Sequence, residues 1–240
     1  MNMNMPVSNA PMPSGGGSKP IFQIWIDALT KPNENTFAEI ASSPNAKAST
    51  AYLWVFIGYL VEFFLSFLVN GGRALSQFGG SNAGFGGGVG GTLIAAVCGG
   101  PILAVIATIF FAIWTLIIQW IAKMFGGQGT NDQMAYAFAA ITLPFAVISG
   151  VVSLFAAIPY VGYCFSAILA IAGIYVIVLN VMAVKGVNRF GWGQAIGSLI
   201  IPGLVIGFVC AFVVIATLAV MGPIIGNVFS TINQSLQSAP

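Results

Sequence analysis

The sequence predicts an all-α, polytopic integral membrane protein with five transmembrane helices and short interfacial helices at its N-terminus. Three observations carry this. Five apolar runs, Ala51–Val69, Pro101–Ile121, Met134–Ala157, Tyr160–Lys185 and Ala195–Met221, are each long enough to cross a bilayer. A span needs roughly 20 apolar residues for a hydrocarbon core of about 30 Å. The runs are continuous and not alternating, so they satisfy their backbone in lipid as helices and not as barrel strands. Only 5% of the 240 residues are charged and 58% are hydrophobic, against about 25% charged in a soluble domain.

The elements follow in chain order. Residues 1–20 are rich in Pro, Gly, Ser and Asn, with no apolar core of a secretory signal, and read as a disordered tail. Residues 21–240 then form one five-span membrane domain. Ile21–Thr30 places Ile21, Phe22, Trp25, Ile26 and Leu29 on one helical face, with Gln23, Asp27 and Thr30 off it. Ten residues cannot span, so this helix lies in the interface, and Pro32 ends it. A second short helix covers Thr36–Ser42, and Ser43-Pro44-Asn45 turns into the first span. Gly71–Gly91 is glycine-rich and is expected to be a mobile loop. Thr92–Cys98 is apolar again. Gly99-Gly100-Pro101 is a natural break, so this segment reads as a short interfacial or re-entrant helix ahead of span two, the alternative being that it is part of that span. Phe125–Gln133 is a short polar connection in which Thr130, Asn131 and Asp132 can cap the next helix. Ile158-Pro159 links spans three and four, and Gly186–Gln194 links spans four and five.

Charge sets the orientation. With the N-terminus cytoplasmic, the inner segments hold Lys19, Lys31, Lys47, Lys123, Lys185 and Arg189, and the outer ones only Arg73. This bias in short loops places basic residues inside and the C-terminus outside. Tyr52, Trp54, Trp120 and Trp192 fall near the inner boundary, and Tyr160 and Tyr163 near the outer one. Spans three and five are weakly similar, with Pro144 and Pro202 aligned, and both prolines are expected to kink their helices.

Chemistry-bearing residues are few. There is no histidine, the commonest general base and metal ligand. Cys98, Cys164 and Cys210 stand singly in apolar segments and read as small buried hydrophobes. Gly86–Gly91 matches GxGxxG but lacks the strand and acid of a nucleotide site. A net charge of +2 without a basic cluster gives no case for nucleic acid. Paired carboxylates and metal-ligand clusters are missing, so no catalytic, cofactor or metal site is expected. Glu62 is the lone acid well inside a span, about 18 Å along the helix from Thr50. Gly58, Glu62 and Ser66 form a small, polar stripe that should face the bundle. Glu62, Ser66, Gln119 and Asn180 are the candidate intramembrane polar site. Interhelical hydrogen bonding explains Gln119 and Asn180, and an acid bonded to a neighbouring helix explains Glu62. Gly162, Ser166 and Ala170 on span four, and Gly203, Gly207 and Ala211 on span five, are small-residue faces for close helix packing. The same faces suit an oligomeric seam.

The order of several loose motifs resembles the Yip (Ypt-interacting protein) domain family. Trp25, Leu29, Pro32 and Phe37 follow a W-x3-L-x-x-P-x4-F pattern ahead of five spans. Gly126-Gly127-Gln128-Gly129-Thr130 leads to a helix with Ala135-Tyr136 and Pro144, and Val184–Val187 precedes the helix with Pro202. The resemblance implies a five-span domain with a cytoplasmic N-terminus and no catalytic residues. Eukaryotic members bind Rab-type GTPases through a longer N-terminal region. The short, sparsely charged tail here departs from that, so GTPase binding is not carried over. The chain is closer to the compact prokaryotic members, which implies a prokaryotic plasma membrane. The expected role is a non-enzymatic scaffold whose partners are the bilayer and other membrane proteins. The alternative is a small-solute or ion channel or transporter component, favoured by Glu62 and the weak repeat.

Overall fold

The computed structural model describes residues 19–79, 93–158 and 160–237. Among these residues are seven α-helices: α1 Ile21–Thr30, α2 Glu34–Ala41, α3 Ala48–Gly79, α4 Gly100–Met124, α5 Asn131–Ser153, α6 Val161–Asn188 and α7 Trp192–Gln237. A π-helical turn, Ala95–Gly99, leads directly into α4, and a 3-10 turn, Leu154–Ala157, closes α5. Five segments are long and apolar enough to cross a membrane: Ala48–Leu68, Ala96–Met124, Asn131–Ser153, Val161–Asn188 and Trp192–Ala219.

The third span, α5, is the hub. Of its most apolar window 56% is buried within the chain, against 11% for the fifth span in α7. Met134 through Ile141 are all buried, four of them alanines, so neighbours approach from every side. Its closest partner is α3. Gly58 of α3 sits against the Leu143 backbone, where an added Cβ would come within 3.1 Å of Leu143 Cα. Gly150 of α5 meets Glu62 of α3 in the same way, at 2.9 Å. Two glycines, one on each helix, therefore let the backbones meet at two levels.

Several expectations change. The break at Gly99-Gly100-Pro101 is not a break: Leu93, Ile94 and the π-turn continue into α4, and span two begins at Ala96. Pro101 has no N–H and its ring crowds the preceding turn, and the wider π-turn before it takes up that mismatch. The two glycines serve packing. Gly99 lies against the Phe67 ring and Gly100 against the Phe64 backbone. The glycine-rich loop begins later than Gly71, because α3 runs to Gly79. Arg73, Ala74, Leu75 and Gln77 favour helix strongly enough to carry Gly71 and Gly72 at about 1 kcal/mol each. The rest of that loop, with the GxGxxG match, lies outside the described residues, as does the expected tail apart from Lys19 and Pro20.

The connection between spans four and five shrinks to residues 189–191, because Gly186, Val187 and Asn188 are buried in α6. Arg189 ends that helix in the left-handed region (φ 54°, ψ 44°), its N–H donating to the Lys185 carbonyl at 2.8 Å. Pro144 and Pro202 lie inside helices that continue through them.

The two N-terminal helices clamp the bundle near one end. In α1 the apolar face with Ile21, Phe22 and Ile26 is exposed, and Ile24, Asp27 and Ala28 face the protein. The other members of the apolar stripe, Trp25 and Leu29, are half-buried and pack against the core. In a bilayer the apolar stripe belongs against lipid, and Asp27 tolerates burial because two lysines reach it. Trp25 of α1 meets Trp54 of α3 edge-on at 5.4 Å, and Trp54 meets Tyr136 of α5 at 4.8 Å. Tyr175 of α6 donates to the Leu29 carbonyl at 2.7 Å. Tyr175 precedes Lys185 by about 15 Å of helix, so the end of α1 lies along the side of the bundle. The Asn33 side chain caps α2 by accepting from Asn35 N–H at 3.1 Å. From there α2 buries Phe37, Ile40 and Ala41 and crosses α6 at Gly186.

That crossing has no spare room. A Cβ on Gly186 would collide with the Glu34 carbonyl oxygen and would come within 3.1 Å of Phe37 Cβ. Gly186→Val must lift α2 away from α6. The expected loss is about 1–3 kcal/mol of stability, with faster protease cleavage between α1 and α2 at Lys31. Gly186→Ala should move both readouts the same way by less. Unchanged thermal unfolding and cleavage in both variants would refute this packing.

Candidate functional site

The polar residues collect where the N-terminal helices meet the ends of the spans. The most buried cluster joins Gln119 near the end of α4, Asn188 at the end of α6, and Gly129 in the loop between α4 and α5. Gln119 Nε2 donates to the Gly129 carbonyl at 2.6 Å and to Asn188 Oδ1 at 2.9 Å. The Gly129 N–H donates to the same Oδ1 at 3.2 Å. Asn188 Nδ2 donates to Gln119 Oε1 at 3.2 Å and to the Val184 carbonyl at 3.1 Å. Both amide groups spend both of their N–H donors inside the protein, and both side chains are fully buried.

The loop is shaped to this cluster. Gly126 turns the chain with φ +86°, a conformation that favours glycine. A Cβ on Gly127 would strike Asn188 Oδ1, and one on Gly129 would strike Val187 Cγ1 at 2.6 Å. Thr130 then starts α5 with a reciprocal capping box: its hydroxyl accepts from Gln133 N–H, and Gln133 Oε1 accepts from Thr130 N–H. Gln194 of α7 donates to the Phe125 carbonyl at 3.1 Å, so the fifth span is tied to the same loop. Neutral, mutually satisfied amides of this kind fix geometry and do not move protons.

Two groups of ion pairs tie down the N-terminal helices. Asp27 is buried and pairs with Lys31 at 2.8 Å and Lys19 at 3.3 Å, and Lys19 also reaches Glu39 at 2.8 Å. The hydrogen bond from Lys31 holds the Asp27 carboxyl below its ordinary range, against burial, which pushes it up. The bond to Glu39 raises the Lys19 ammonium. Lys185 of α6 pairs with Glu34 of α2 and lies over the Trp192 ring, 4.3 Å from its centroid.

The four residues expected as one intramembrane site are not brought together. Gln119 enters the amide cluster, with Asn188 and not Asn180 as its partner. Asn180 is half-buried and outside that cluster. Glu62 and Ser66 are half-buried on α3, with Glu62 against Gly150. Gly150 lies about 30 Å along α5 from Thr130, so the acid and the amides occupy opposite ends of the third span. The expected packing faces are also open. Gly162 is buried, but Ser166 and Ala170 are exposed. Gly203, Gly207 and Ala211 are exposed as well, with nothing within 4 Å of a Cβ on Gly207. The buried residues of that helix are instead Ala195, Ser198 and Pro202, and Pro202 lines an apolar recess of about 460 Å³ between α4 and α7. Cys98, Cys164 and Cys210 are exposed on the flanks of the bundle, not buried. Among the described residues, no three His, Cys, Asp or Glu side chains converge as metal ligands.

Sequence reasoning missed Asn188, Glu34 and Asp27. The one available signal for Asn188 was the Gly126-Gly127-x-Gly129 run, whose missing side chains mark a place where something else must sit.

A family model described as Yip1 domain matches residues 26–229. No curated protein and no solved structure matches the chain.

The Asp27 pairs make stability acid-sensitive. A carboxyl whose folded pKa is depressed contributes fully above its unfolded value, 3.8, and loses that contribution as pH falls through the folded one. The thermal-stability advantage of the wild-type protein over Asp27→Asn should therefore hold steady above about pH 5 and shrink below about pH 4. A difference that stays constant down to about pH 2.5 would show that the pairs contribute nothing.

Proposed function

Because this chain belongs to the Yip1 domain family, we propose that it is a non-enzymatic scaffold that organises other proteins within the bilayer. The chain is an integral membrane protein by its five apolar helices. In this reading the end bearing the N-terminal helices is cytoplasmic, the C-terminus is outside, and the membrane is a prokaryotic plasma membrane. No cofactor takes part.

The observation that carries the reading is the separation of polar from apolar groups. The buried amides sit at one end and are bonded to one another. The fourth and fifth spans leave most of their apolar surface uncovered, with 17% and 11% of their windows buried. Transport needs polar groups that replace a solute's hydration near the midplane. Here the spans spend their surface on outward contact, with an apolar recess between α4 and α7 and an open small-residue face on α7. Small residues let another helix approach closely where no hydrophobic force favours association in lipid.

The test combines two measurements on the full chain. Purified protein in liposomes should pass ions and small solutes no faster than empty liposomes. A tagged copy extracted in mild detergent should retain specific membrane proteins, and Gly207→Leu should reduce that recovery several-fold with thermal stability unchanged. Saturable uptake that Glu62→Gln abolishes would replace the scaffold reading with a transporter.

A further inference from the structure

Where α2 crosses the end of α6, the molecule leaves a cleft of about 450 Å³ lined by Glu34, Asn35, Lys185, Arg189 and Phe190. A second hollow of about 170 Å³ adjoins it through Ala38, Gly186 and Arg189, and brings in Gln128 and Gln133. Arg189 borders both. It is exposed and forms no ion pair among the described residues, while Lys185 is engaged by Glu34 and Trp192. The proposed scaffold role uses none of these groups.

We propose that this double cleft binds a phosphodiester, that of a phospholipid headgroup, with Arg189 as its principal ligand. Three features point to that chemistry. The guanidinium offers a planar fork of donors that matches two phosphate oxygens. The Gln133 amide supplies N–H groups from the second hollow, because only its oxygen is used by the Thr130 cap. The charges of Lys185 and Arg189 against Glu34 leave one net positive charge. One positive charge complements a phosphodiester, which carries one negative charge, better than a free phosphate, which carries about −1.5 to −2. The place suits a lipid. The cleft lies at the end of a spanning helix beside Trp192, half exposed, and such amphipathic rings sit at headgroup level. Its volume is that of a small-molecule site.

Arg189 also permits an unusually clean variant. It sits at φ 54°, where glycine is at ease and other residues are strained. Arg189→Gly should fold at least as stably as the wild type, so any lost binding cannot be blamed on the fold.

The experiment titrates dioctanoyl phosphatidylglycerol into the full-length protein in nonionic detergent and follows the thermal midpoint and lipid retention by native mass spectrometry. Saturable binding is expected for the wild type and for Lys123→Gln, which removes an exposed cation outside the cleft. In Arg189→Gly the affinity should fall at least tenfold, and in Arg189→Lys, which keeps charge but loses the fork, severalfold. Dioctanoylglycerol, which lacks the phosphate, should not bind. Equal affinity in wild type and Arg189→Gly would overturn the site, and so would equal binding of dioctanoylglycerol. Inorganic phosphate binding as tightly as the lipid, with the same Arg189 dependence, would overturn the headgroup assignment in favour of a free-phosphate site. Failure of the scaffold measurements would leave this result untouched.

Discussion

One oxygen atom holds the ends of three helical hairpin arms together. Asn188 Oδ1 receives the Gln119 amide from α4 and the Gly129 N–H from the loop that starts α5, while its own chain is the end of α6. Water cannot be counted on beside lipid, so a polar group buried there must find its partners within the protein. The two amides meet that demand completely. Everything else at this end follows from it: the loop must come within reach of Asn188, so it has no Cβ at Gly127 and Gly129, and α5 must start where the loop leaves off, at the Thr130 cap.

The position of α5 then decides the rest of the bundle. Its alanine-rich first half accepts helices on all sides, and Gly58 and Gly150 bring α3 to backbone contact along its length. The N-terminal helices complete the enclosure from outside, with α2 seated on Gly186 and α1 tied by Asp27 and the Trp25–Trp54–Tyr136 contacts. By contrast the polar ties of α6 and α7 gather at one end, through Asn188, Lys185 and Gln194. Along the rest of α6, Tyr175 bonds the Leu29 carbonyl and Phe165 stacks on Phe155, while most other side chains of both helices are exposed.

Much of this was legible in the sequence, for identifiable reasons. The five spans announce themselves by hydrophobic length, and the bounds of α1 are legible because Pro20 and Pro32 flank it. The cap of α5 is legible as one of Thr130, Asn131 and Asp132, and the motif order points to the family whose model the chain matches. What failed were inferences needing a third dimension. The pattern of α1 sets Asp27 apart from the apolar stripe but does not show that Asp27 turns into the protein, where Lys19 and Lys31 reach it. Gly99-Gly100-Pro101 looks like a break because glycine and proline usually punctuate, yet here the glycines admit Phe67 and Phe64 and a π-turn absorbs the proline. Gln119 stands out in its span, but its partner lies 69 residues away in the chain, and no spacing rule links Asn188 to it in preference to Asn180.

The central claim is that Gln119 and Asn188 act as one unit that fixes the bundle end. A double-mutant cycle with Gln119→Leu and Asn188→Leu, read as unfolding free energy in detergent or bicelles, tests it most directly. Each single variant leaves a buried amide without its partner, and the double variant removes both. The account predicts that the double variant is more stable than the sum of the singles by about 1 kcal/mol or more, at the upper range of polar couplings in membrane bundles. Additivity within about 0.3 kcal/mol would contradict it, and would mean that the two amides are neighbours without being coupled.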